Sequence, residues 1–273
     1  MNIQTSNVQN SAPVLLRERD GDIAIVILNR PQPRNSLSEA LLTALAETWR
    51  DIAVDKSVRA VVLAANGPVF CAGHDLKELT SRRGDADGGR AYFKLIMTTS
   101  SAMMQQIVTL PQPVIAAVQG VASAAGCQLV ASCDLAVAAT TAKFATPGVD
   151  IGLFCSTPMV ALSRNVSRKH AMEMLLTGDM VAAEDAGRIG LINRVVPVGE
   201  ERAAAIALAK QIAAKSSYVL KIGKEAFYKQ AEMSLAAAYD YASEVMTENM
   251  MARDANEGIC AFIEKRDPSW EDR

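Results

Sequence analysis

Two short stretches of this chain combine small and polar residues in a way that suits carbonyl chemistry. The first is Phe70-Cys71-Ala72-Gly73-His74-Asp75-Leu76-Lys77-Glu78-Leu79, and the second is Gly120-Val121-Ala122-Ser123-Ala124-Ala125-Gly126-Cys127-Gln128-Leu129. An apolar run that reads as a buried strand precedes each one: Val58 to Ala65 before the first, Val114 to Val118 before the second. Two small-residue turns after two such strands can bring two backbone N–H groups to one ligand oxygen. A donor pair of this kind is an oxyanion hole, and it stabilises negative charge developing on a carbonyl.

The elements that must position these turns read as follows. Ile23 to Asn29 is a β-branched apolar run closed by Arg30-Pro31-Gln32-Pro33, a buried strand and then a loop. Ser38 caps a predicted helix from Glu39 to Val54, with Leu41, Leu42, Leu45, Trp49 and Ile52 on one face. Ser81 to Arg90 is charged and carries Gly84, Gly88 and Gly89. It reads as a mobile loop beside the first motif, either a lid or an ordinary surface loop. A helix is predicted over Ala91 to Val108, another around Gly126 to Ser132, and a strand over Leu135 to Ala139. Strands alternating with helices indicate an α/β fold with parallel strands joined by crossovers. From Glu200 to about Glu264 the chain turns helical and rich in Ala, Leu and Met.

Composition narrows the function. The chain has 273 residues, is 50% hydrophobic and carries a net charge of -2. That balance gives no electrostatic footprint for nucleic acid or an anionic membrane surface. No apolar run reaches the roughly 18 residues of a membrane helix. Met1 to Ala12 is polar, without a signal-peptide core or the Arg content of a transit peptide. It reads as a disordered tail, and cytoplasm is the default location. Five cysteines in mostly apolar surroundings, none in a CxxC, read as reduced thiols. Two histidines and no ligand cluster predict no metal site. No glycine-rich phosphate loop appears, and no permanently bound cofactor is expected.

The two motifs, in this order, resemble the crotonase superfamily, the enoyl-CoA hydratase/isomerase family. The resemblance runs from about Val14 to Trp270. It implies a spiral of repeated ββα units in two stacked sheets. The acyl-CoA-binding core would span residues 13–199, and residues 200–273 would form a helical region that builds a homotrimer or a hexamer of paired trimers. It implies an acyl-CoA thioester as substrate, with coenzyme A entering as part of it. The carbonyl would be held by the backbone N–H groups of His74 and Ala125. Within the family, the segments from Gly73 to Leu79, Ala125 to Asp134 and Phe144 to Pro158 are similar to the enoyl-CoA hydratase domain-containing protein 3 subgroup.

The resemblance also marks what this chain lacks. Family hydratases use two carboxylates to hold water and move a proton, and acid–base catalysis of that sort contributes roughly 10²–10⁴ in rate. The first slot falls on Gln128, whose amide orients water but does not take its proton. The second falls on Gly148, and a third used by other branches falls on Ser156. Asp150 is the nearest surviving carboxylate, available to the pocket or to a local turn. Asp75 reads as a brace of the first turn. His74 stands where most members carry alanine. A Gly-His-Asp sequence at this place is similar to the decarboxylase branch, where the imidazole would act on a departing carboxylate; alternatively only its N–H matters. Cys127 and Cys155 read as packed thiols. By resemblance, Cys71, Ala72, Gly73 and Leu76 line the adenine and pantetheine path and Arg34 and Lys77 approach the phosphates. Phe262 and Lys265 reach CoA, often from a neighbouring subunit. Three readings stand open: hydration of a 2-enoyl-CoA, decarboxylation of a malonyl-type CoA, and non-catalytic acyl-CoA binding.

Overall fold

The computed structural model describes residues 12–273. The predicted disordered tail therefore lies, apart from Ala12, outside the described residues. Among the described residues, ten strands form two sheets. The larger runs in the order β1 (Leu15–Asp20), β2 (Ile23–Leu28), β3 (Ala60–Ala65), β5 (Val114–Val118), β7 (Leu135–Ala139), β10 (Arg194–Val196). The smaller runs β4 (Val69–Cys71), β6 (Val121–Ser123), β8 (Lys143–Ala145), β9 (Val181–Ala182). Only the β1–β2 and β8–β9 pairs are antiparallel.

The chain climbs by a repeated step. A strand in the large sheet is followed by a short strand in the small sheet and then by a helix. The first step is β3, β4 and α2 (Leu76–Ser81); the second is β5, β6 and α4 (Ala125–Ser132). The third, β7 and β8, leads into a 3-10 turn (Pro147–Ile151) and α5 (Pro158–Asn165). This is the ββα spiral that the resemblance implied.

Period-two alternation explains the layering. On one face of the large sheet, Val26, Leu28, Val61, Leu63 and Ala116 pack against Leu41, Leu45 and Trp49 of α1 (Glu39–Val54) and Met103 and Ile107 of α3 (Arg90–Thr109). On the other face, Ile23, Ile25, Ile27, Val62 and Ile115 meet Ala205, Leu208 and Ala209 of α8 (Glu201–Ala213). So α8, expected to belong to the oligomerisation region, closes the second core of the sheet. Three helices follow: α9 (Ser217–Gln230), α10 (Leu235–Met251) and α11 (Arg253–Glu264). Two more, α6 (Arg168–Thr177) and α7 (Ala183–Arg188), lie between α5 and β10. No described helix is long and apolar enough to cross a membrane.

Candidate active site

β4 and β6 are parallel neighbours, so the turns that follow them emerge from the same edge of the small sheet. Glycine brings them together. A Cβ at Gly126 would lie 2.1 Å from Cys71 O, and one at Gly120 would lie 2.1 Å from Pro68 O, so no other residue fits either place. Gly73 has φ +94°, and a Cβ there would lie 3.0 Å from Ala124 Cβ and 3.4 Å from Ala125 N. The residue-74 turn therefore sits directly against the start of α4.

Ala124 caps α4 at φ 50°, ψ -117°, a strained conformation for a residue with a Cβ. Its N–H donates to Ala145 O at 2.9 Å, which pins the strain in place. Among the described residues the N–H groups of His74 and Ala125 have no acceptor. The Ala125 N–H also lies in the first turn of α4, at its positive pole. Both unsatisfied donors lie on backbone that the contacts at Gly73, Gly126 and Ala124 hold in place.

The first turn is braced from beneath. Asp75 accepts from Arg30 Nη2 at 3.2 Å and Ser36 Oγ at 3.0 Å. It also caps α2 through Lys77 N at 3.2 Å and Glu78 N at 3.4 Å. Partial burial raises its pKa, but hydrogen bonds from Ser36, Arg30 and the Glu78 N–H outweigh that and hold the carboxyl below its ordinary value. Arg34 and Asn35 both adopt positive φ, and the buried Asn35 amide donates to Asn66 O at 2.9 Å and Val69 O at 2.8 Å. Arg30, Ser36 and Asn35 were missed in the sequence. Their signal was only the turn chemistry of the segment after β2.

A cleft of ≈ 410 Å³ opens beside the donor turns. One wall carries Ala72, His74, Leu76, Leu79, Met97, Ser123 and Ala124. The other is the segment from Pro147 to Thr157, with Gly148, Asp150, Ile151, Leu153, Phe154 and Cys155 facing in. A volume of this size suits a small acyl group. Burial pushes the His74 pKa down to about 4, so the ring is neutral, and its Nε2 is buried without a partner. Asp150 is the single carboxylate on the cleft wall. Its oxygens lie against Gly178, where a Cβ would come within 3.0 Å of Oδ2. A second hollow, ≈ 470 Å³, lies between α3 and α9, but its Lys224 is already committed to Asp134 at 2.7 Å and to Ile107 O and Gln112 O.

The structure thus brings together His74, Ala72, Leu76, Gly148 and Asp150 on the cleft, with Ala125 behind it. Other expected residues do not join them. Gln128 is buried in α4, off the cleft wall, with Oε1 unpartnered. Cys71 and Gly73 are buried backbone supports, and burial pushes the Cys71 thiol up to about 12. Arg34 and Lys77 are exposed. Phe262 is 85% exposed on α11 and, like Lys265, does not line the cleft. The loop from Arg82 to Gly89 does not line it either. It is tied down by Asp87, which accepts from Gly89 N at 2.9 Å and Ala91 N at 2.8 Å, and by stacking of Arg82 on Tyr92 and Arg83 on Phe93.

A ββα spiral with two neighbouring small-residue turns beside a cleft places the chain in the class of crotonase-fold proteins. The chain belongs to the enoyl-CoA hydratase/isomerase family, whose model matches residues 18–273. It is 47% identical to the rat (Rattus norvegicus) enoyl-CoA hydratase domain-containing protein 3, mitochondrial, covering 93% of this chain and 83% of that one. The human (Homo sapiens) counterpart is 46% identical over 94% of this chain and 83% of that protein. The crystal structure of a Mycobacterium smegmatis enoyl-CoA hydratase superposes with a TM-score of 0.90 at 50% identity, covering 95% of this chain and 99% of that one. That of human enoyl-CoA hydratase domain-containing protein 3 gives 0.89 at 45% identity, over 94% and 100%. Members of the family bind acyl-CoA substrates and are typically oligomeric. The cytoplasmic expectation is corrected by these comparisons: five relatives at 45–47% identity are named mitochondrial.

Proposed function

We propose that this protein is an acyl-CoA enzyme that holds the thioester carbonyl oxygen with the N–H groups of His74 and Ala125, and that its reaction is hydration of a 2-enoyl-CoA with Asp150 in the base role. One observation carries this reading: two unpaired, rigidly held donors sit on adjoining turns, His74 on the wall of a cleft that also carries one carboxylate and Ala125 just behind it. Water placed by Asp150 gives up a proton to it, and the water oxygen bonds to C3 of the enoyl group. The C2–C3 π electrons shift, through C2 and the carbonyl carbon, to the thioester oxygen as an enolate. The enolate then collapses, and C2 takes a proton back. The donor pair matters most when the oxygen is charged, and losing one such donor typically costs about 10²–10³ in rate.

Hydration here is slower than with a carboxylate at position 128 or 148, because a single acid–base group does the work of two. Crotonyl-CoA at high enzyme concentration tests it. Turnover above the uncatalysed rate is expected, with Asp150→Asn lowering kcat by about 10²-fold or more. No turnover of any enoyl-CoA would remove the reading.

A second reading, decarboxylation of a malonyl-type CoA, is favoured by His74. Its neutral ring faces the cleft with Nε2 unpartnered, and this reaction forms the same enolate without abstracting a proton from carbon. His74→Ala with full decarboxylase activity would rule out a direct role for the ring. Tight binding without turnover of any acyl-CoA would leave the non-catalytic binding reading. By the family's habit the assembly is a trimer or a hexamer. The location follows the relatives, mitochondrial rather than cytoplasmic.

A further inference from the structure

Cys155 stands where a side chain on residue 148 would stand. A Cβ added to Gly148 would lie 3.0 Å from Cys155 Sγ, 3.1 Å from Leu153 O and 3.2 Å from Cys155 N. The Leu153 N–H donates to Gly148 O at 2.9 Å, which closes the turn that carries both residues. The sulfur therefore lies against the bare Cα of Gly148, and both residues line the cleft with His74. Burial raises the thiol's pKa, so this part of the wall is neutral.

A thioester whose oxygen rests on the His74 and Ala125 donors projects its first carbons into this cleft. There they meet a wall whose distance is set by this sulfur atom. We infer that Cys155 is a specificity-determining residue, fixing with Gly148 how much bulk an acyl group carries near its carbonyl and favouring unbranched chains over branched ones. The inference rests on the acyl-CoA reading above and deepens it.

The test is calorimetric binding of crotonyl-CoA and 3-methylcrotonyl-CoA to the full chain and its variants. Cys155→Ala shifts the ratio of the two Kd values towards the branched ester by roughly 5- to 10-fold, within what one buried carbon-sized group discriminates. Cys155→Ser, which leaves a smaller atom in the place of the sulfur, shifts the ratio the same way but less than Cys155→Ala. Gly148→Ala melts below wild type, and adding Cys155→Ala recovers only the part of that loss due to the sulfur, since Leu153 O and Cys155 N still crowd the new Cβ. An unchanged ratio in Cys155→Ala, or a Gly148→Ala protein as stable as wild type, overturns the inference alone. Failure of the wild type to bind either ester overturns the acyl-CoA reading and this inference with it.

Discussion

Gly126 has no substitute, because any Cβ there would enter the Cys71 carbonyl, and through that contact a single residue sets how closely the two turns approach. The proposed donors are backbone, so the side chains at 74 and 125 bear on them only through what surrounds them. His74 makes this concrete. Burial holds its folded pKa near 4, below the ordinary value of 6.5. Below pH 6.5 the unfolded chain takes up a proton that the folded chain refuses, so stability falls as pH drops from 6.5 to 4. The loss approaches ~3 kcal/mol at the lower end. Denaturant titrations of wild type and His74→Ala across this window are expected to show the slope in wild type and its reduction in the variant. Parallel curves would mean that the ring is solvated. The residues of the two motifs were legible because glycine and alanine at fixed offsets after apolar strands have few uses. The thiol over Gly148 was not. It joins residues whose contact depends on how the segment from Pro147 to Thr157 folds back, and no spacing rule encodes that.

At the scale of elements, α1, the four long strands of the large sheet called from the sequence, and α3 fell close to their predicted bounds, because each carries a full period of apolar residues. The strands of the small sheet were hidden: β4, β6 and β8 have three residues each, too few for alternation to show. β1 was hidden as an edge strand whose LLRERD sequence is mostly charged. A further device lay in the last residues. Trp270 Nε1 donates to Ala214 O at 2.9 Å, and its ring covers Gly258, where a Cβ would come within 3.1 Å. The buried Asp254 carboxylate accepts from Glu271 N at 2.8 Å and Asp272 N at 2.9 Å, while Arg59 binds Asp272 at 2.7 Å. This strap ties α11 to α8 and to the segment before β3. Trp270→Ala or Asp254→Ala is expected to destabilise the protein by about 1–3 kcal/mol. Hydrogen exchange of α11 amides should rise well before that of β3. Uniform protection in both would show that α11 is held by other contacts.

At the scale of the molecule, the sheet core is closed on both faces by its own helices, yet α9 to α11 leave large apolar side chains outside. Phe227, Leu235, Tyr239, Met246, Met251, Phe262 and Ile263 are all exposed. A monomer in water rarely leaves so much apolar surface on neighbouring helices uncovered. Light scattering of the purified protein is expected to give three or six times the chain mass, and a monomer mass would contradict the assembly proposed here. The chain's membership of its family was legible from two motifs in order. Its chemistry was less so, because the resemblance put no carboxylate at the usual positions and the donors proposed here are N–H groups with no side-chain signature.

That pair is open to direct measurement. The infrared carbonyl band of crotonyl-CoA carrying carbon-13 at the thioester carbon, recorded by difference on binding to the intact protein, reports the bond to that oxygen. Two donors at His74 and Ala125 predict a band shifted to lower frequency than in free crotonyl-CoA, with the shift lost when Gly73→Ala displaces the first turn. A bound ester with an unshifted carbonyl would contradict the account, because the thioester would then be held by something other than the donors on which its chemistry depends.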